Sequence, residues 1–160
     1  MSNYNGVIDE LIKGEWTNPE DQKKYGIPIK KIEIRKTLDG LEKDLIKSLH
    51  SDQRLLIVSD PITHNAMGSR IFKNIKGKVN VDEYIWEKPS SSIEGVEHLR
   101  EKIKDYDGMI AVGSGTVSDS IKYATFLEKK TYSVFATTPM NAYTTGTASI
   151  SFNGVKKSLV

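Results

Sequence analysis

Cysteine is absent from the 160 residues, which removes disulfides, thiolate metal ligands and a thiol nucleophile from consideration. Long apolar runs are absent too. No segment approaches the ~20 residues that cross a bilayer, and the N-terminus has no basic region followed by a hydrophobic stretch, so a cytoplasmic protein without a membrane partner is expected. Charge of one sign is not in excess: a net +2 gives no electrostatic reason to expect nucleic acid. The three histidines, His50, His64 and His98, stand apart, without an acidic or histidine partner at helical ligand spacing. No metal site within the chain is expected, and surface or capping roles suit these rings better. What is present is a composition of 38% hydrophobic and 28% charged residues, enough for a core in one globular domain.

The apolar pattern alternates between two periods. Val7, Ile8, Leu11 and Ile12 have helical spacing, and the polar stretch Thr17 to Lys24 closes them off as a flap over residues 1–25. From Ile27 to Ile34 apolar residues alternate with Lys and Glu, which predicts a half-buried strand opening the domain at 26–160. Asp39 is placed to cap a helix with Leu41, Leu45 and Leu49 on one face. Leu55 to Val58 and Met109 to Val112 are continuous apolar runs, the signature of strands buried on both faces. Val79 to Trp86 and Tyr132 to Ala136 supply two more strands. Met67, Ile71 and Ile75, then Ile93, Val96, Leu99 and Ile103, then Ile121, Ala124 and Leu127 mark helix faces between them, with Ser91 and Glu94 as a capping box. Ala148 to Phe152 and Val155 to Leu159, joined by Asn153 and Gly154, predict a hairpin. The fold expected is therefore α/β: a Rossmann-like, mostly parallel sheet with helices on both faces and a C-terminal β-hairpin.

In such a sheet ligands collect beyond the C-terminal strand ends. Three polar loops are expected to converge there. Gly113, Ser114, Gly115 and Thr116 lie between a buried strand and a helix, where glycines permit close backbone approach and the helix's first N–H groups attract a diphosphate. An ordinary tight turn has the same residues. Asp60 ends another strand, as a ribose acceptor or as a charge complementing a helix start. Thr137 and Thr138 end the third. Thr116 and Asp119 also suit plain capping, and Lys122 either reaches back to phosphate or faces solvent. Tyr143 sits in a Thr-rich turn before the hairpin, with a structural reading open beside a ligand one.

GSGTVSD at 113–119, continued by Lys122, Tyr123 and Ala124, then VFATTPMNAYTTGTASI and NGVKKSL, resembles the N-terminal half of sn-glycerol-1-phosphate dehydrogenase-like proteins. These belong to the superfamily of iron-containing alcohol dehydrogenases, glycerol dehydrogenases and 3-dehydroquinate synthases. IPIKKIEI and LLIVSDPITHNAMGSRI extend the resemblance over nearly the whole chain. It implies that Gly113, Ser114 and Gly115 hold the diphosphate of NAD or NADP, with Asp119 supporting the loop. It further implies that Asp60 takes the adenosine ribose and that Thr137, Thr138 and Tyr143 lie beside the nicotinamide ribose or substrate. The implied reaction is hydride transfer between dihydroxyacetone phosphate and glycerol-1-phosphate, with a divalent metal, Zn or Fe, polarising the carbonyl.

Two departures bear on that implication. Asn141 stands at the substrate end where many relatives carry Asp, and an amide binds a hydroxyl but cannot act as a base. The Thr137–Asn141 loop is also one residue shorter than the usual pattern. The helical domain that carries an Asp and two His metal ligands in the family has no counterpart before Val160. A truncated or split oxidoreductase of phospholipid metabolism, inactive alone, is the expectation, with a separately encoded C-terminal domain or a homodimer as partner. A non-catalytic binding or dimerisation module that keeps the fold is the alternative.

Overall fold

The computed structural model describes residues 4–138 and 146–159. Two compact units are distinguished, one up to Lys36 joined by Gly146, and one from Thr37 onward. The first unit has helix α1 (Tyr4–Lys13) and a two-residue antiparallel ribbon, β1 (Trp16–Thr17) with β2 (Lys24–Tyr25). The strand expected over Ile27–Ile34 does not form. Alternation marks a potential face, but a strand also needs a hydrogen-bonded neighbour, and Ile34 is 67% exposed rather than turned to a core.

The second unit runs α2 (Glu42–Leu49), β3 (Leu55–Ser59) and α3 (Pro61–Thr63), then one π turn over His64–Gly68 into α4 (Ser69–Ile75). It continues through β4 (Val81–Ile85), α5 (Ile93–Lys102), β5 (Gly108–Gly113), α6 (Gly115–Leu127) and β6 (Thr131–Ala136). The hairpin β7 (Ala148–Phe152) and β8 (Val155–Leu159) follows. β3 to β6 form one parallel sheet in the order β4-β3-β5-β6, with Ser59 level with Val112 and Gly113 level with Ala136.

Alternate residues of the central strands feed two cores. Leu55, Ile57, Ile110 and Val112 pack with Ile46 of α2 and with Ile71 and Ile75 of α4. Leu56, Val58, Met109 and Ala111 pack on the other face with α5, α6 and Ala148 and Ile150 of the hairpin. Because β4 lies to one side of β3 and β5 to the other, right-handed crossovers must put α4 on one face and α5 and α6 on the opposite one. The hairpin turns on Asn153 and Gly154, both at positive φ, as a two-residue turn of this kind demands.

Two helix readings need correction. The N-cap of α2 is Leu41, which offers no side-chain cap, while Asp39 instead accepts from Arg70 and Asn74. Its buried positions are Glu42 and Ile46, and Leu41 and Leu49 are each 37% exposed. The α5 cap is Ser92, which accepts from the Gly95 amide, one residue beyond the cap the sequence suggests. No described helix is long and apolar enough to cross a membrane.

Candidate nucleotide-binding site

The strand order reverses between β3 and β5. Their tips lead into helices on opposite faces, so a crevice must open beyond them, at the place where open α/β sheets take their ligands. On the β3 side, Asp60 is the N-cap of α3: its Oδ1 accepts from the Thr63 amide at 2.8 Å, and its own amide donates to Thr63 Oγ1 at 3.1 Å. Thr63 Oγ1 in turn donates to the Val112 carbonyl of β5 at 2.9 Å. Beside this tip Ile62 is 81% exposed. His64 pairs its Nε2 with Glu83 Oε1 at 3.2 Å.

On the β5 side, Gly113 ends the strand and is buried, and Ser114 is the N-cap of α6. Ser114 makes no capping bond with its side chain, so its hydroxyl is not spent on the first amides of the helix. Ser114, Gly115 and Thr116 are half-buried. Gly113 is needed for packing: a Cβ there would stand 2.8 Å from Val117 Cβ, so only a glycine lets α6 start this close to its strand. The third tip adjoins the loop, because the Thr137 amide donates to Gly113 O at 3.4 Å. Thr137 Oγ1 is buried without a hydrogen-bond partner among the described residues, and Thr138 next to it is exposed. Thus Asp60, Gly113 to Thr116, Thr137 and Thr138 stand on three successive strand tips. Asn141 and Tyr143 lie outside the described residues.

Asp119 sits further along α6 and faces the hairpin. Its Oδ2 accepts from the Ser149 amide of β7 at 3.2 Å, its Oδ1 lies 3.8 Å from Lys122 Nζ, and Lys122 donates to Thr147 O at 2.9 Å. Burial raises the Asp119 pKa, opposed by the Ser149 bond and the Lys122 charge, and burial lowers that of Lys122. Folded Asp119 thus keeps its proton to higher pH than the unfolded chain does. Its contribution to stability is greatest in acid and falls as pH rises through the raised value. Urea denaturation of the wild type and Asp119→Asn at about pH 4 and pH 7 checks the sign: the wild type should lose ground to the variant at the higher pH. A gain instead would mean that the ion pair outweighs desolvation.

The profile of a family described as iron-containing alcohol dehydrogenase matches residues 33–160. The chain belongs to the iron-containing alcohol dehydrogenase family. Its fold is similar to an iron-containing alcohol dehydrogenase from Thermococcus thioreducens, at 18% identity and a TM-score of 0.66 over 81% of this chain and 41% of that one. Glycerol dehydrogenase from Schizosaccharomyces pombe aligns at 18% identity and 0.64 over 75% and 31%. Maleylacetate reductase from Agrobacterium tumefaciens aligns at 16% and 0.63 over 76% and 35%. The chain therefore spans between 31% and 41% of the length of these three structures. No curated protein matches.

A family of iron-containing alcohol dehydrogenases implies a nicotinamide coenzyme and a metal, and the residues suit them unequally. The unspent Ser114 hydroxyl, the helix start behind it and the orphaned Thr137 Oγ1 form a donor set that fits a dinucleotide. Among the described residues no group of three His, Cys, Asp or Glu is arranged to hold a metal ion, so those residues do not fit one. The histidines differ from expectation in one case. His50 is 3% exposed and bonds Gln53 Oε1 and Thr131 Oγ1 at the opposite, N-terminal end of the sheet. His98 is bonded to Tyr84 and stacked on Trp86. From the sequence Thr63 stands only as one of the residues that end the Leu55–Val58 run, with no role in the site. Its one available signal was D-x-x-T directly after a buried strand, the spacing of a reciprocal cap.

Proposed function

We propose that this chain is the dinucleotide-binding part of an NAD(P)-dependent alcohol dehydrogenase, with dihydroxyacetone phosphate and glycerol-1-phosphate as its substrate pair. The observation that carries the nucleotide reading is the β5–α6 turn: glycines at 113 and 115, an N-cap serine whose side chain does not cap, and a position at the reversal of strand order. The substrate pair rests on the motif resemblance at 113–124 and 134–150. In this reading residues 26–160 form the coenzyme-binding domain and residues 1–25 a flap.

The nicotinamide, when bound, supplies the hydride acceptor or donor. The chain's own residues bind and orient. Gly113, Ser114, Gly115 and Thr116 take the diphosphate, Asp60 the adenosine ribose hydroxyls, and Thr137 and Thr138 the nicotinamide ribose or the substrate. Tyr143 belongs with Thr137 and Thr138 beside the nicotinamide ribose or the substrate, and Asn141 at the substrate end. Asn141 can hold a hydroxyl by donating and accepting but takes no proton. Asp119 supports the site from behind, by fastening the hairpin to α6. A separately encoded domain, or a second copy of the chain, would close the site for turnover.

Titration with NADH and NADPH, followed by nicotinamide fluorescence, tests the reading. Saturable binding below about 1 mM is expected, corresponding to roughly 4 kcal/mol. Absence of binding at millimolar coenzyme, with the chain folded, would count against it and favour a non-catalytic module of the same fold. For the substrate pair, the chain combined with a partner domain should oxidise glycerol-1-phosphate in preference to glycerol.

A further inference from the structure

We propose that Thr63 is a positioning residue of the coenzyme site: its hydroxyl clasps the β3 and β5 tips together and holds Asp60 in the orientation that selects between NADH and NADPH. This rests on the nucleotide reading above. Beyond Ser59 the β3 backbone has little left to offer β5. Pro61 has no amide hydrogen, and the Asp60 amide is turned to Thr63 Oγ1. The donor that reaches Val112 O is the Thr63 hydroxyl, at 2.9 Å.

A threonine hydroxyl has one hydrogen to give and two lone pairs. Here the hydrogen goes to Val112 O and a lone pair receives the Asp60 amide. The Thr63 amide meanwhile fixes Asp60 Oδ1 at 2.8 Å. One side chain, only 7% exposed, thus joins the residue before Gly113 to the acid assigned to the adenosine ribose. Its contacts span both halves of the coenzyme site, while the side chain itself has no need to touch the ligand. A carboxylate held this way tolerates the free 2′-hydroxyl of NADH and repels the 2′-phosphate of NADPH.

Thr63→Val keeps the shape and removes the hydroxyl, and Thr63→Ser restores it. Dissociation constants for NADH and NADPH are measured for both variants and the wild type, with circular dichroism and thermal melting on the same samples. The expected result for Thr63→Val is NADH binding weakened about tenfold and NADPH weakened much less, so that the preference for NADH collapses. Thr63→Ser keeps the wild-type ratio. In an Asp60→Asn background Thr63→Val should change the ratio no further, because the two act as one unit. Equal weakening of both coenzymes, or an unchanged ratio, overturns the clasp while leaving the nucleotide reading standing. Failure of the wild type to bind either coenzyme overturns both. Should Thr63→Val not fold, Thr63→Ala gives the same readout.

Discussion

Gly113→Val should abolish coenzyme binding at concentrations that saturate the wild type, and should cost about 1–3 kcal/mol of stability, the usual penalty of overpacking a filled core. The reason is spatial. A Cβ at 113 would lie 2.8 Å from Val117 Cβ and 3.1 Å from both of its methyls, and Val117 is fully buried between the sheet and its helix partners. Neither group can retreat, so the first turn of α6 must move off β5. That turn carries the amides assigned to the diphosphate, and a displacement of about 1 Å is enough to cost a hundredfold in an oriented interaction. Coenzyme titration checks the binding loss, and chemical denaturation the stability. If Gly113→Val binds NADH like the wild type, the β5–α6 turn is not where the diphosphate sits.

The second large effect lies away from the site, at Glu42. This carboxylate is fully buried at the start of α2, accepts from the Gly40 amide at 2.8 Å, and is paired with Arg70 of α4, which also reaches Asp39 at 2.8 Å. Glu42→Ala should lower the unfolding free energy by about 2–3 kcal/mol, toward the low end for a broken buried pair because Arg70 is 41% exposed and can turn to water. Leu49→Ala, on the face that the sequence pattern nominated, should cost well under about 1 kcal/mol, since that side chain is already partly in solvent. Urea denaturation of the two variants decides between the two faces. A larger cost for Leu49→Ala would mean that α2 buries its leucines.

These cases show where periodicity is a sound guide and where it fails. Leu55 to Val58 and Met109 to Val112 read correctly as doubly buried strands because such runs are too short for a buried helix and alternate with longer helical segments. The Asn153–Gly154 turn was legible because two successive positive φ values accept few other residues. The reading of α2 failed because three leucines outweighed Ile46, and nothing local signals that Glu42 will meet Arg70, 28 residues on. Ile27–Ile34 failed because alternation describes one strand and a sheet needs two.

The candidate site divides in the same way. Gly113 to Thr116 and Asp60 were legible as the residues that end apolar runs and open helices, a use that a tight turn or a helix cap shares with a ligand site. By itself the chain's sequence determined the order of elements from α2 onward, the two buried strands, the hairpin and the residues that end each strand, all properties of neighbours within a turn or two. Only the tertiary structure decided that β4 and β5 flank β3 and so open the crevice, that Thr63 reaches Val112 across it, and that Asp119 turns to the hairpin. Each of those depends on a hydrogen bond or a register between residues tens of positions apart, and such a partner is chosen by the packing of the whole sheet.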